Sequence, residues 1–154
     1  MPSPRLMIGR HSCSGAIYAI TSVIRGRVPL LADAGNATLV MQELARCEAE
    51  QRVGNLAWVV MPDHVHWLFQ LREGALGMSV QAFKSRVARR LNEARMSSGP
   101  VWQAGYYDHR IRHDEDLAAQ ARYLVANPLR RGLVARLEDY PYWYCTWIRG
   151  EEDL

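Results

Sequence analysis

The run LAWVVM at 56–61, the dipeptide Pro62-Asp63 and the run HVHWLFQL at 64–71 limit what this chain can fold into more than any other stretch. Both runs are strand-sized and rich in β-branched and aromatic residues, and the fixed φ of proline followed by a turn-forming carboxylate suits a tight connection. The spacing predicts a β-hairpin.

Five further patterns surround it. Residues 15–24 (GAIYAITSVI) read as a first strand that closes before Pro29. With Asn36 as N-cap, Val40, Met41, Leu44 and Cys47 recur at helical spacing to about Arg52, and Gly54 ends that helix. Ser79 caps a second helix with Val80, Phe83, Val87, Leu91 and Ala94 as its apolar stripe, and Ser97-Ser98-Gly99-Pro100 stops it. Residues 106–112 (YYDHRIR) make a fourth strand, and Asp114, Glu115 and Asp116 form an acidic first turn for a third helix to about Asn127, where Pro128 ends it. The order strand, helix, strand, strand, helix, strand, helix predicts an α+β ferredoxin-like sandwich, an antiparallel sheet with helices on one face and an appended C-terminal helix. One domain accounts for all 154 residues, with a core at about 15–134 and a loop-rich aromatic tail at 135–154.

The composition, 49% hydrophobic and 23% charged, excludes disorder, collagen-like repetition and coiled coil. No run approaches the roughly 18 apolar residues of a membrane span. Pro2, Pro4, Arg10 and His11 break the pattern of a signal peptide, so the expectation is a soluble cytoplasmic protein with no membrane partner. Cys13, Cys47 and Cys145 form no paired motif and read as structural or incidental thiols of a reducing compartment rather than metal ligands.

The net charge of +3 is unevenly spread: between Leu71 and Arg136 eleven arginines and Lys84 face six acids, an excess of +6, while the remainder carries −3. Arginine supplies 18 of the 19 basic residues, and its planar fork suits phosphate. Lys84, Arg86, Arg89 and Arg90 on the second helix, with Arg110, Arg112, Arg130 and Arg131, are therefore candidate nucleic-acid contacts, and Trp102, Tyr106 or Tyr107 could stack on unpaired bases.

Inside the hairpin, His64 and His66 point to the same face because side chains alternate along a strand, while Val65 points to the other. Two imidazoles at that spacing can share one metal ion; they can equally be a half-buried structural pair. On the third helix Tyr123 and Asn127 are four residues apart and share one face. His109 reads as a packed histidine, His113 is weighed with it, and Asp63 reads as a turn former.

The blocks VVMPDHVHWLFQL, WQAGYYDHRIRHDEDL and YLVANPLRRGLV resemble, in order and spacing, the REP-associated tyrosine transposases, relatives of the single-tyrosine HUH transposases. The likeness spans about 15–134. It implies that His64 and His66 are the HUH pair, Tyr123 the catalytic nucleophile and Asn127 the third metal ligand, with Mg²⁺ or Mn²⁺ as cofactor. It also implies metal-dependent cutting and rejoining of single-stranded DNA at REP-like palindromic hairpins through a 5′-phosphotyrosine, by a monomer or homodimer. Ligand preference alone would favour a late transition metal at two imidazoles. Two other classes stand beside this one: a domesticated relative that binds structured DNA without cutting it, and an unrelated zinc enzyme joining the histidines to a cysteine or to His109.

Overall fold

The computed structural model describes residues 14–112 and 115–149. Its sheet runs in the order β4-β1-β3-β2-β5, with every pairing antiparallel. The strands are β1 (Ile17–Val23), β2 (Val53–Val60), β3 (His64–Leu71), β4 (Tyr107–Arg110) and β5 (Trp143–Cys145). The four expected strands take the split arrangement of a ferredoxin-like sandwich. The fifth comes from the aromatic tail, where three residues pair with β2 and cover its edge.

Two helices cover one face of the sheet: α1 (Ala34–Ala49) and α2 (Leu76–Arg95). Val40, Leu44 and Cys47 of α1 and Val80, Phe83 and Val87 of α2 share a buried cluster with Tyr18, Ile20, Val65, Trp67 and Phe69. The second face is covered by α3 (Leu117–Val125), whose Ala121 and Val125 pack on Ala57 and Leu68. The alternation of β3 decides which residues meet which layer: Val65, Trp67, Phe69 and Leu71 face the helix pair, so His64, His66 and Leu68 face the α3 side.

The hairpin is as expected at its turn, with Val60 opposite Val65 and Val59 opposite His66. An irregularity between Asn55 and Ala57 leaves Leu56 as an extra residue and changes which face the rest of β2 presents. Asn55 thereby reaches the helix-pair core, where it accepts from Trp67 Nε1 at 2.8 Å and donates to Leu44 O at 2.9 Å.

Three helix boundaries differ from the sequence reading. The cap of α1 is Asp33, whose carboxylate accepts from Asn36 N at 3.0 Å; Asn36 itself donates to Leu30 O. Ser79 is buried within the first turn of α2, which starts at Leu76. Asp116 caps α3 by accepting from Ala119 N, and the expected opener Asp114 lies outside the described residues, as do Cys13 and His113. After α3, Pro128 starts the short turn α4 (Asn127–Arg130), occupying a first-turn position where its missing N–H costs nothing. No helix among the described residues is long and apolar enough to cross a membrane.

Candidate active site

His64 is the first residue of β3, opposite Val23 at the end of β1, and His66 lies opposite Thr21. Their Nε2 atoms are 3.1 Å apart, with the rings nearly perpendicular at 85°. Both Nδ1 atoms are held from behind. Asp63 Oδ1 accepts from His64 Nδ1 at 2.6 Å, and Thr21 Oγ1 bonds His66 Nδ1 at 2.9 Å. Arg27 in turn donates to Asp63 Oδ2 at 3.3 Å.

Burial lowers the pKa of His64, against the opposing pull of Asp63, and lowers that of His66 to about 4, with the His64 charge and the charges of Arg130 and Arg131 acting the same way. For Asp63, burial acts to raise the pKa, but the hydrogen bonds and charges of His64 and Arg27 outweigh it and hold the carboxyl low. Both imidazoles are thus neutral at neutral pH, the form that binds metal. With Nδ1–H committed to Asp63, His64 Nε2 carries a free lone pair. His66 satisfies it by donating Nε2–H, or, with its own Nδ1–H turned to Thr21, presents a second lone pair beside it.

A separation of 3.1 Å falls between the roughly 3.0 Å and 3.3 Å expected for neighbouring nitrogens at about 2.0–2.1 Å from one octahedral or tetrahedral ion. The donor pair therefore fits a divalent cation. Among the described residues no three His, Cys, Asp or Glu side chains gather as a metal cluster. Asn127 donates Nδ2 to Leu124 O at 3.4 Å, which leaves its amide oxygen as an acceptor.

His66, Tyr123, Asn127 and Arg130 line one groove of about 640 Å³, together with Glu115 and Gln120. Tyr123 is 65% exposed, unusual for a helical tyrosine beside a sheet. Arg110 and Arg112 line an adjoining hollow of about 680 Å³ that shares Glu115 with this groove.

The second-helix cations are elsewhere. Since α2 packs on the Trp67 face and the histidines occupy the other, Lys84, Arg86, Arg89 and Arg90 lie across the sheet from the groove. Lys84 is buried, donates to Gln103 O and Gly105 O, and has its pKa lowered by burial to about 8. Arg86 donates to Glu50, and Arg90 to Glu43 and Gln42. Only Arg89 of the four is fully on the surface. This corrects the expectation of a basic helix beside the site.

His109, expected to be packed, is instead exposed and bonds Glu115 Oε1 at 2.9 Å. Trp102 and Tyr106 are buried, which removes them as base-stacking platforms and leaves Tyr107, which is 37% exposed. Cys47 lies in the helix-pair core and Cys145 on β5, two strands from β3, so neither joins the histidines.

Thr21, Arg27 and the buttressing role of Asp63 were not foreseen. Asp63 could have been suspected from its position beside His64, whereas Thr21 depends on a pairing register between segments 45 residues apart.

The family model described as "Transposase IS200 like" matches residues 12–127. A REP-associated tyrosine transposase of Escherichia coli is 31% identical over 56% of this chain and 50% of its own length. A Haemophilus influenzae protein of the same designation is 31% identical over 56% of each chain. The chain thus spans about half the length of the curated relatives it matches. Among solved structures, a REP-associated tyrosine transposase bound to a REP hairpin superposes with a TM-score of 0.71 at 23% identity, covering 87% of this chain and 79% of that one. A Deinococcus radiodurans transposase-type protein gives 0.55 at 23% identity, covering 77% and 95%. These last two likenesses are of fold.

Proposed function

The chain belongs to the IS200-like transposase family, and from that premise we propose that it is a metal-dependent endonuclease and strand transferase acting on single-stranded DNA at REP-type palindromic hairpins. The observation that carries this reading is the meeting of His66, whose Nε2 lies 3.1 Å from that of His64, with an exposed tyrosine and an asparagine amide in one groove.

Tyr123 is the attacking group in this reading. Its Oη forms a bond to phosphorus while the bond from phosphorus to the 3′ oxygen breaks; the phenol proton passes to solvent and the departing 3′ oxygen takes one up. A 5′-phosphotyrosine and a free 3′-hydroxyl result, and attack by a 3′-hydroxyl on the phosphotyrosine reverses the step and rejoins DNA. An unassisted phenol with a pKa near 10 is a weak nucleophile at neutral pH, so the developing charge needs help. His64, His66 and the Asn127 oxygen would hold Mg²⁺ or Mn²⁺, which would supply Lewis-acid chemistry at the scissile phosphate. Asp63 and Thr21 fix the ring orientations that such binding requires. Arg27 and Arg131, whose charges act on His64, make the surroundings attractive to phosphate.

A labelled hairpin oligonucleotide with a single-stranded flank, given Mg²⁺ or Mn²⁺, tests the reading. Wild-type protein is expected to become covalently attached and Tyr123→Phe to form no adduct. Equal yields from the two, or salt-sensitive binding of the host's own repeat hairpins with no adduct from either, would overturn it, the second outcome in favour of a binding protein that does not cut.

A further inference from the structure

Arg130, a candidate nucleic-acid contact by its charge, has its side chain engaged with Tyr123 twice. Nη1 donates to Tyr123 O at 2.6 Å, and the guanidinium carbon stands 3.6 Å from the centre of the Tyr123 ring. We propose that Arg130 is a positioning residue that clamps the phenol of Tyr123 in its attacking orientation, a role that rests on the transferase reading for its consequence but not for its geometry.

The clamp follows from how α3 ends. The last carbonyls of a helix lack partners within it, and Pro128 has no N–H with which to bond Leu124 O four residues back. Side chains fill the gap. Asn127 Nδ2 donates to Leu124 O and Arg130 Nη1 to Tyr123 O, and a cation is favoured at a helix C-terminus. The short turn α4 that Pro128 starts carries Arg130 back over the helix end, seven residues after Tyr123, and sets the guanidinium over the ring.

This matters because the ring is otherwise poorly held. At 65% exposure the side chain of Tyr123 has few walls to choose a rotamer for it. A planar cation held at one end by a backbone carbonyl restricts the ring, and lysine would keep the charge without the flat face. The same residue thereby ties the nucleophile to Asn127, since both side chains are referenced to the one helix end.

The test separates orientation from binding. In wild type and in Arg130→Lys and Arg130→Gln, the rate constant for adduct formation is measured at saturating hairpin oligonucleotide with Mn²⁺, alongside the oligonucleotide's dissociation constant. NMR of the free proteins, with assignments fixed by Tyr123→Leu, reads the stack as upfield ring-current shifts of the Arg130 side-chain protons. A clamp predicts those shifts in wild type, a saturating rate roughly tenfold lower in Arg130→Gln with an intermediate value for Arg130→Lys, and a dissociation constant changed less than about twofold. Unshifted Arg130 protons in wild type, or a saturating rate unchanged while the dissociation constant rises, would overturn the clamp and leave Arg130 as a phosphate contact. Shifted protons in a wild type that forms no adduct would uphold the clamp and sink the transferase reading instead, so the two fail separately.

Discussion

His64 and His66 face each other Nε2 to Nε2 at 3.1 Å only because each ring is fixed from its far side, by Asp63 and by Thr21. A ring free to turn about its Cβ–Cγ bond would not keep its lone pair aimed at a shared point. The pair is therefore a property of three segments: the hairpin turn, β3 and the end of β1.

Removing the Asp63 carboxylate should weaken metal binding without unfolding the protein. Asp63→Asn keeps the turn and an oxygen but loses the charge that selects the Nδ1–H tautomer of His64, and changes of this kind cost about 10–100-fold in affinity. Titration calorimetry with Mn²⁺ should show that loss in Asp63→Asn, with thermal unfolding of the metal-free protein altered little. Wild-type affinity in the variant would mean that the carboxylate does not orient the ligand.

Asn55 makes a second prediction, about stability. It accepts from Trp67 Nε1 and donates to Leu44 O in a buried setting, so Asn55→Ala leaves a donor and an acceptor without their partner. Urea unfolding should place the variant about 2–3 kcal/mol below wild type. A loss under 1 kcal/mol would mean that water or a shifted side chain replaces the amide.

The same residue marks where sequence reading stops. Alternation along HVHWLFQL places both histidines on one face, and the four-residue spacing of Tyr123 and Asn127 puts both toward one side, so the placement of these four residues was legible from local periodicity, while the roles proposed for them come from the family resemblance. The bulge at Leu56 was not, because an extra residue in one strand leaves no trace in apolar spacing. Nor was β5 legible: Trp143, Tyr144 and Cys145 are strand formers too few to show a period, and only the open edge of β2 makes them a strand. Nor was the placement of the second helix legible. Its arginines share a sequence region with Tyr123, but which face of a sheet a helix covers is decided by the parity of the strands beneath it, not by proximity in sequence.

Lys84 gives a pH dependence of definite sign. Burial holds its pKa at about 8 in the fold, against an unfolded value near 10.4. Below pH 8 the group is protonated in both states, and the cost of burying the charge is present in full. Between pH 8 and 10 the folded state releases the proton first, the unfolded state binds more protons, and stability rises with pH. Denaturant unfolding at pH 7.5 and 9.5 should show wild type gaining on Lys84→Met by on the order of 2 kcal/mol. Parallel curves would mean that the carbonyls of Gln103 and Gly105 compensate the buried ammonium fully.

Arg90 distinguishes a structural from a DNA-binding role for the second helix. Its Nη1 lies 2.8 Å from Oε2 of Glu43, whose side chain is 3% exposed, and its Nη2 donates to Gln42 on α1. Removing the arginine leaves a nearly buried carboxylate to the more distant Arg46, whose Nη1 stands 3.7 Å from Oε1. Because Arg90 is itself partly exposed, the cost of Arg90→Ala is about 1–2 kcal/mol, below that of breaking a fully buried pair. Hairpin binding should be unaffected in both affinity and salt dependence, since the residue lies across the sheet from the groove. A salt slope reduced by about one in Arg90→Ala, with stability unchanged, would instead place a phosphate on α2 and move the DNA path to that face.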